Sequence, residues 1–337
     1  MSLYPVNDIM VSVCVVTYNH GKYIGTCLDH ILRQRRKFRI EILIHDDAST
    51  DGAQEVIRAY QKRYPDIIKP ILRVENQYSQ GITNISGAFN FPRAVGKYVA
   101  LTDGDDYWCD DYKLQRQVEY MEAHPECGFT FHSAKVLNED GALVNGELMR
   151  PYHASRVVKP AELVDKAIGS PFASFLLRRE IVEKLPDYYV DCPVGDRPLE
   201  LMAADFGDSY YFDEPMSVYR FGIRGSWTEN QMNGDYVEKQ QKYAADMWKM
   251  YHRFDAETGG RFHEACEHAG RRVEFLTAVN TRNFELIYRP ENADFLQELS
   301  RHDRFFIDFE HRFPKLYHGL RRLKSGAPKQ IEEKESV

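Results

Sequence analysis

The sequence runs to 337 residues with 43% apolar and 28% charged side chains, an ordinary globular composition with enough length to bury a sizeable core. Its formal net charge of −7 excludes a general nucleic-acid binder, which shows a domain-wide basic surplus. Six cysteines without a CxxC pair read as free thiols in a reducing compartment, and no run approaches the roughly 18 apolar residues of a membrane helix.

Met10 to Val16 is a short apolar, β-branched run, the pattern of a strand buried on both faces in a parallel sheet. The turn chemistry of Thr17 to Gly21 ends it, and Ile24, Leu28, Ile31 and Leu32 recur at helical spacing. Ile40 to His45 predicts a second strand, and Val56, Ile57, Tyr60 and Tyr64 a second helix. Ile67 to Val74 predicts a third strand, with Pro70 pointing to a sheet edge or a bulge. A shorter helix over 84–94 and a strand over Tyr98 to Thr102 complete an alternating α/β unit with right-handed crossovers. Beyond Asp106 the alternation loosens, with a helix over 113–123 and strands over 129–134, 172–177 and 210–219. From about Asn230 long polar-aromatic helical patterns follow, over 237–253, 261–278 and 293–301. The expected domains are 1–230 and a mostly helical 231–325, with a disordered tail over 326–337.

In a parallel α/β sheet the ligand sits at the carboxyl ends of the strands. Three such ends are polar here: Thr17-Tyr18-Asn19, Asp46-Asp47-Ala48-Ser49 and Asp103-Gly104-Asp105-Asp106. Asp and Gly dominate solvated turns, and alone that reading would suffice for the last segment. Two Asp one residue apart just past an apolar strand also suit a divalent cation that bridges to phosphate. Asp105 would ligate the metal directly, Asp103 would reach a ribose or a metal-bound water, and Gly104 would remove bulk where a diphosphate nears the backbone. In the second segment Ser49 or Thr50 reads as a helix cap and Asp51 as a first-turn acid. Asp47 then remains to accept the N3–H of a uracil or thymine ring, with Tyr18 stacked on the base or simply packing.

VSVCVVTYNHGKYI, EILIHDDASTD and KYVALTDGDDYW, in that order over roughly residues 10 to 230, closely resemble the family 2 glycosyltransferases. The resemblance implies the GT-A fold, a Rossmann-like nucleotide-diphospho-sugar transferase domain of α/β class, here with a helical C-terminal extension. It implies a metal-dependent, inverting, hexosyltransferase-type transfer from a nucleotide-sugar, with Mn2+ or Mg2+ as cofactor. By position, Val16 and Tyr18 match the first nucleotide-binding strand, Asp47 the base-reading carboxylate, and Asp103 and Asp105 the DxD motif. Asn90 falls where the family has an Asn in its sugar-nucleotide helix. Asp196, which unaided reads as a helix N-cap, matches the general base that inverting transfer needs. Glu200, one turn later, is the fallback. Where the family carries a His after a Tyr-Arg pair, this sequence reads Phe221 to Trp227 without one, and Arg224 is the candidate phosphate partner. That loop also reads as a lid with Gly hinges.

The function expected is therefore transfer of a sugar from a UDP- or dTDP-sugar to a hydroxyl acceptor, a sugar or lipid-linked glycan among them, in bacterial polysaccharide or glycoconjugate synthesis. A nucleotidyltransferase on a related sheet would need a basic Gly-rich phosphate loop, which Tyr18 to Lys22 does not supply. A non-catalytic nucleotide-sugar-binding protein is the other alternative. His263 and His268 match neither HExxH nor HxxEH and are set aside as metal ligands. The N-terminus lacks the basic and apolar regions of a signal peptide, so the expected place is the cytoplasm or the inner face of the membrane. Phe313 to Lys324 interleaves apolar and basic residues, a pattern open to membrane contact, to a homodimer or to packing on the catalytic domain.

Overall fold

The computed structural model describes residues 8–325 other than 167, 168, 224–228, 230, 232 and 233. The expected tail, Arg224 and most of the expected boundary near Trp227 to Asn233 lie outside the described residues. The chain divides into two compact units, Met1–Gly270 and Arg271–Val337.

In the first unit β1 (Ile9–Thr17), β2 (Arg39–Asp46), β3 (Ile68–Leu72) and β4 (Tyr98–Asp103) form a parallel set in the order β3-β2-β1-β4. Both faces of β1 are covered, as its unbroken apolar run requires. The helix α1 (Ile24–Leu32) buries Ile24, Cys27, Leu28 and Ile31, the 3–4 spacing of one helical face. α2 (Ala53–Arg63) buries Ala53 and Ile57, with Tyr60 and Tyr64 packed on the same core. Pro70 sits in the edge strand β3, where its missing N–H costs no ladder bond.

The remaining strands extend this sheet. After the two-residue β5 (Tyr107–Trp108) and α3 (Lys113–Ala123) come β6 (Cys127–Leu137), β7 (Leu143–Met149) and β8 (Arg156–Val158). α4 (Pro160–Val164), β9 (Leu176–Arg178), α5 (Asp187–Val190), α6 (Asp196–Phe206) and β10 (Asp208–Arg220) follow. β9 runs antiparallel between β4 and β6, and β10 runs parallel to β6. At its end β10 pairs with β5, Ser217 opposite Trp108 and Val218 opposite Tyr107. That pairing brings the end of a strand more than a hundred residues away onto the acidic turn after β4. All six cysteines are free.

The regular helix expected over 84–94 is instead a π-turn at Ser86–Asn90 followed by a 3-10 turn at Phe91–Arg93. α7 (Tyr236–Glu257) and α8 (His263–Thr281) match the long patterns anticipated after residue 230. The second unit continues with α9 (Phe284–Ile287), α10 (Ala293–Glu298), α11 (Arg301–Arg312) and α12 (Pro314–Ser325). Its core is Phe275, Ala278, Ile287, Phe295 and Ile307. Among the described residues no helix is long and apolar enough to cross a membrane.

Candidate functional site

The three polar strand ends converge. Thr17 of β1 lies opposite Asp46 of β2, and Val16 lies opposite Asp103 of β4. The loops that follow are laced together. Asn19, in the left-handed region at φ 56°, donates its N–H to Ser49 Oγ at 2.8 Å and accepts from the Thr50 N–H at 2.9 Å. Gly21 N–H donates to Asp51 at 2.7 Å. Ser49 and Thr50 are thus spent on Asn19 rather than on capping α2. The cap position is Gly52, and Asp51 accepts the Ala53 N–H at 3.1 Å.

Asp47 is buried, and both of its oxygens hold the next loop. They accept the backbone N–H groups of Gln77 at 2.8 Å and Tyr78 at 3.0 Å. The loop so held carries Tyr78, which is 46% exposed and lines the cleft described below. Tyr18 is exposed at the end of β1, outside the residues that line that cleft. Asn90 is not brought to the cleft either. It is fully buried, donating to the Val15 carbonyl at 3.2 Å and accepting from Arg93 at 3.1 Å.

The turn after β4 is fixed from two sides. Gly104 N–H donates to the Val16 carbonyl at 2.8 Å, and a Cβ at Gly104 would fall 2.6 Å from Thr17 Oγ1. The close approach that demands glycine here is to a protein side chain, Thr17. On the other side the Arg220 N–H donates to Asp106 at 2.9 Å. The Arg220 guanidinium donates to the Asp105 carbonyl and lies over the rings of Tyr23 and Tyr107. Asp106 is therefore a structural tie to β10. Burial, then the charges of Asp105 and Asp103, push its carboxyl well above the usual range.

Asp103 and Asp105 are different. Neither carboxylate accepts a hydrogen bond from a described residue, and the nearest cationic candidate for Asp105 is His20 Nε2 at 3.7 Å. Burial, then Asp105, then Asp196 raise the Asp103 carboxyl. Two unspent hard-oxygen ligands one residue apart fit a divalent cation. Among the described residues no cluster of three or more His, Cys, Asp or Glu is arranged to hold a metal unaided, so the remaining ligands would be substrate oxygens and water.

Between this turn and α6 lies a cleft of about 490 Å³. Val16, Asp103 and Asp106 line one side, and Pro193, Val194, Gly195 and Asp196 another. Asp196 opens α6 and accepts the Arg197 N–H at 2.7 Å. Burial, then the charge of Glu200, raise its carboxyl above the ordinary value. Glu200 itself is buried and spent on Lys166 at 2.6 Å and Arg197 at 2.7 Å, two cations that outweigh burial and hold it ionised. Arg197 in turn donates to the Leu163 and Val164 carbonyls and to Tyr251. The loop before Asp196 is clamped by residues 83 and 84. Asn84 donates to the carbonyls of Tyr189 and Cys192, and Thr83 to Cys192 at 3.2 Å. Asn84 Oδ1 and Ser86 Oγ are buried and find no hydrogen-bond partner among the described residues, and both residues line the cleft. Sequence reasoning missed Asn84, Ser86 and Tyr78. In the sequence Asn84 stands only as the first residue of the expected helix over 84–94.

His263 and His268 go to separate carboxylates, Asp255 and Asp165, and share no site. Arg224 lies outside the described residues.

Three comparisons bear on this arrangement. A protein of Mycobacterium tuberculosis is 34% identical over 225 residues, 64% of this chain and 60% of its own length. The match therefore spans less than two thirds of that relative's own length. The S. aureus TarS fragment 1-349, solved with UDP-GlcNAc, shares the fold at a TM-score of 0.56 and 16% identity, over 96% of this chain and 94% of its own. The mannosyltransferase PcManGT of Pyrobaculum calidifontis, solved with GDP-Man and Mn2+, does so at 0.52 and 18%, over 96% and 92%. The expected GT-A architecture with a helical C-terminal region is thus the observed fold. The profile described as glycosyl transferase family 2 matches residues 12–186, more than half of the sequence, and the chain belongs to that family.

Proposed function

We propose that the chain transfers a sugar, with inversion, from a UDP- or dTDP-sugar to a hydroxyl acceptor in bacterial polysaccharide or glycoconjugate assembly. The carrying observation is that Asp103, at the end of β4, and Asp196, at the start of α6, line one cleft. Asp105 and Asp103 would hold Mn2+ or Mg2+, as the unspent carboxylates suit. The ion, when bound, neutralises charge on the departing diphosphate. The mannosyltransferase PcManGT, of the same fold at low identity, was solved with GDP-Man and Mn2+, which is consistent with this metal.

The chain's own groups do the rest. Val16 and the loop held by Asp47 form the wall for the base, with Tyr78 rather than Tyr18 inside the cleft. The Asp196 carboxylate accepts the acceptor O–H proton as that oxygen bonds to the anomeric carbon. The bond from that carbon to the diphosphate oxygen breaks on the opposite face, and the nucleoside diphosphate leaves with the electron pair. Asn84 and Thr83 hold the Asp196 loop, while the Lys166–Glu200–Arg197 network fixes the helix that carries it.

Titration calorimetry of UDP and dTDP with and without Mn2+ tests the binding half. Mn2+-dependent binding is expected in the native protein and is expected to fall at least roughly a hundredfold in Asp105→Ala, since one metal ligand is lost. Equal affinity in the variant removes Asp105 from the site.

A further inference from the structure

α11 and α12 form one aromatic surface. Phe309 contacts Phe305, Phe313 and Tyr317, and Phe306 contacts Tyr317, so the rings run unbroken from one helix to the next. The inner side of α11 is spent on the unit's own core through Ile307. The outer side is not: Phe305 is 60% exposed, Leu316 54%, Leu320 51%, Phe313 49% and Phe306 40%. Scattered exposed apolar residues need no explanation, but five within sixteen residues form a patch.

The charge of these two helices is basic on balance. Residues 301–325 contain seven Lys and Arg against three Asp and Glu, a surplus of four in a chain whose net charge is −7. The three acids are engaged within the unit. Glu310 is buried against Arg282 at 3.0 Å, Asp308 accepts from Tyr288 at 2.6 Å, and Asp303 engages the Ser300 cap. α12 has no acidic residue at all.

We propose that this face of α11 and α12 docks on an anionic phospholipid surface, apolar side chains inserted at the headgroup boundary and Lys315 and Arg321 among the phosphates. Exposed aromatics and leucines with flanking basic side chains are what an interfacial helix needs. Charge selects this occupant over a second copy of the chain. A two-fold contact through this face would set one basic surface against another. Residues 326–337 are mostly polar and Glu-rich, poorly suited to covering an apolar stripe.

Co-sedimentation of the full chain with phosphatidylcholine vesicles, with and without phosphatidylglycerol, tests this directly. Partition is expected to be roughly tenfold or more stronger on the phosphatidylglycerol vesicles and to fall as salt is raised. Leu316→Ser with Leu320→Ser, and separately Lys315→Glu with Arg321→Glu, are expected to abolish it while the thermal unfolding midpoint holds, because these side chains are exposed. Val95→Ser, at an exposed apolar position of the first unit, is expected to change nothing. Equal partition on both vesicle types, or no partition, overturns the proposal. So does a dimer in sedimentation velocity that dissolves in the Leu316/Leu320 variant.

Discussion

Asp196 is half-buried beside Glu200, and desolvation and the neighbouring charge both favour its protonated form. A general base works only when ionised. Transfer is therefore expected to rise with pH through a pKa above the ordinary carboxylate value of about 4 and then level off. The same shift has the opposite sign for stability. The folded state holds this proton more tightly than the unfolded chain. Its contribution is complete below the unfolded pKa and is lost as pH rises through the folded one. A kcat/KM profile that is flat across the acid range contradicts the assignment. The acidic residues stood out in the sequence because the chemistry admits few side chains, and of those singled out Asp103 and Asp196 line one cleft while Asp105 sits in the turn beside it. Asn84 and Ser86 were not legible, because what makes Asn84 matter is a pair of carbonyls over a hundred residues away. Asn90 looked like a binding residue only by position, and its amide is spent on Val15 and Arg93.

Elements with a single strong period were read correctly: β1, β2 and β4 from continuous apolar runs, α1 and α3 from 3–4 spacing. The segment 84–93 was not. Gly87 and Pro92 break the α-helical ladder, and a Cβ at Gly87 would strike the Tyr189 ring at 2.4 Å. That contact lets the turn pack closely on the loop leading to Asp196, and no local pattern reveals it. The loop over 76–78 depends equally on a distant group, the Asp47 carboxylate. Asparagine at 47 keeps one acceptor oxygen and turns an N–H2 toward the other backbone N–H. Asp47→Asn is therefore expected to cost about 1–3 kcal/mol in urea unfolding, the penalty of a buried unsatisfied donor. Loosening of the Tyr78 wall is expected to raise KM for the donor more than it lowers kcat. Native stability together with native KM contradicts this role for Asp47.

Across the whole molecule, chain order and spatial order part company after β4. The sheet runs β3-β2-β1-β4-β9-β6-β10-β5, so the acidic turn is braced by β10 through Arg220, a residue no local pattern ties to it. The parallel half followed from alternation of strand and helix, while the antiparallel insertions depend on long-range pairing that periodicity does not encode. The helices of the C-terminal region were legible by period. What their outer face is for is carried by exposure and charge together, which the sequence alone left open between membrane, dimer and packing. The division of labour within the cleft is the central claim, and one substitution probes it. In Asp196→Asn, donor affinity with Mn2+ measured by calorimetry is expected to stay within about twofold of native, while transfer falls by at least ~10². Unchanged turnover, or loss of donor binding in step with activity, contradicts the account.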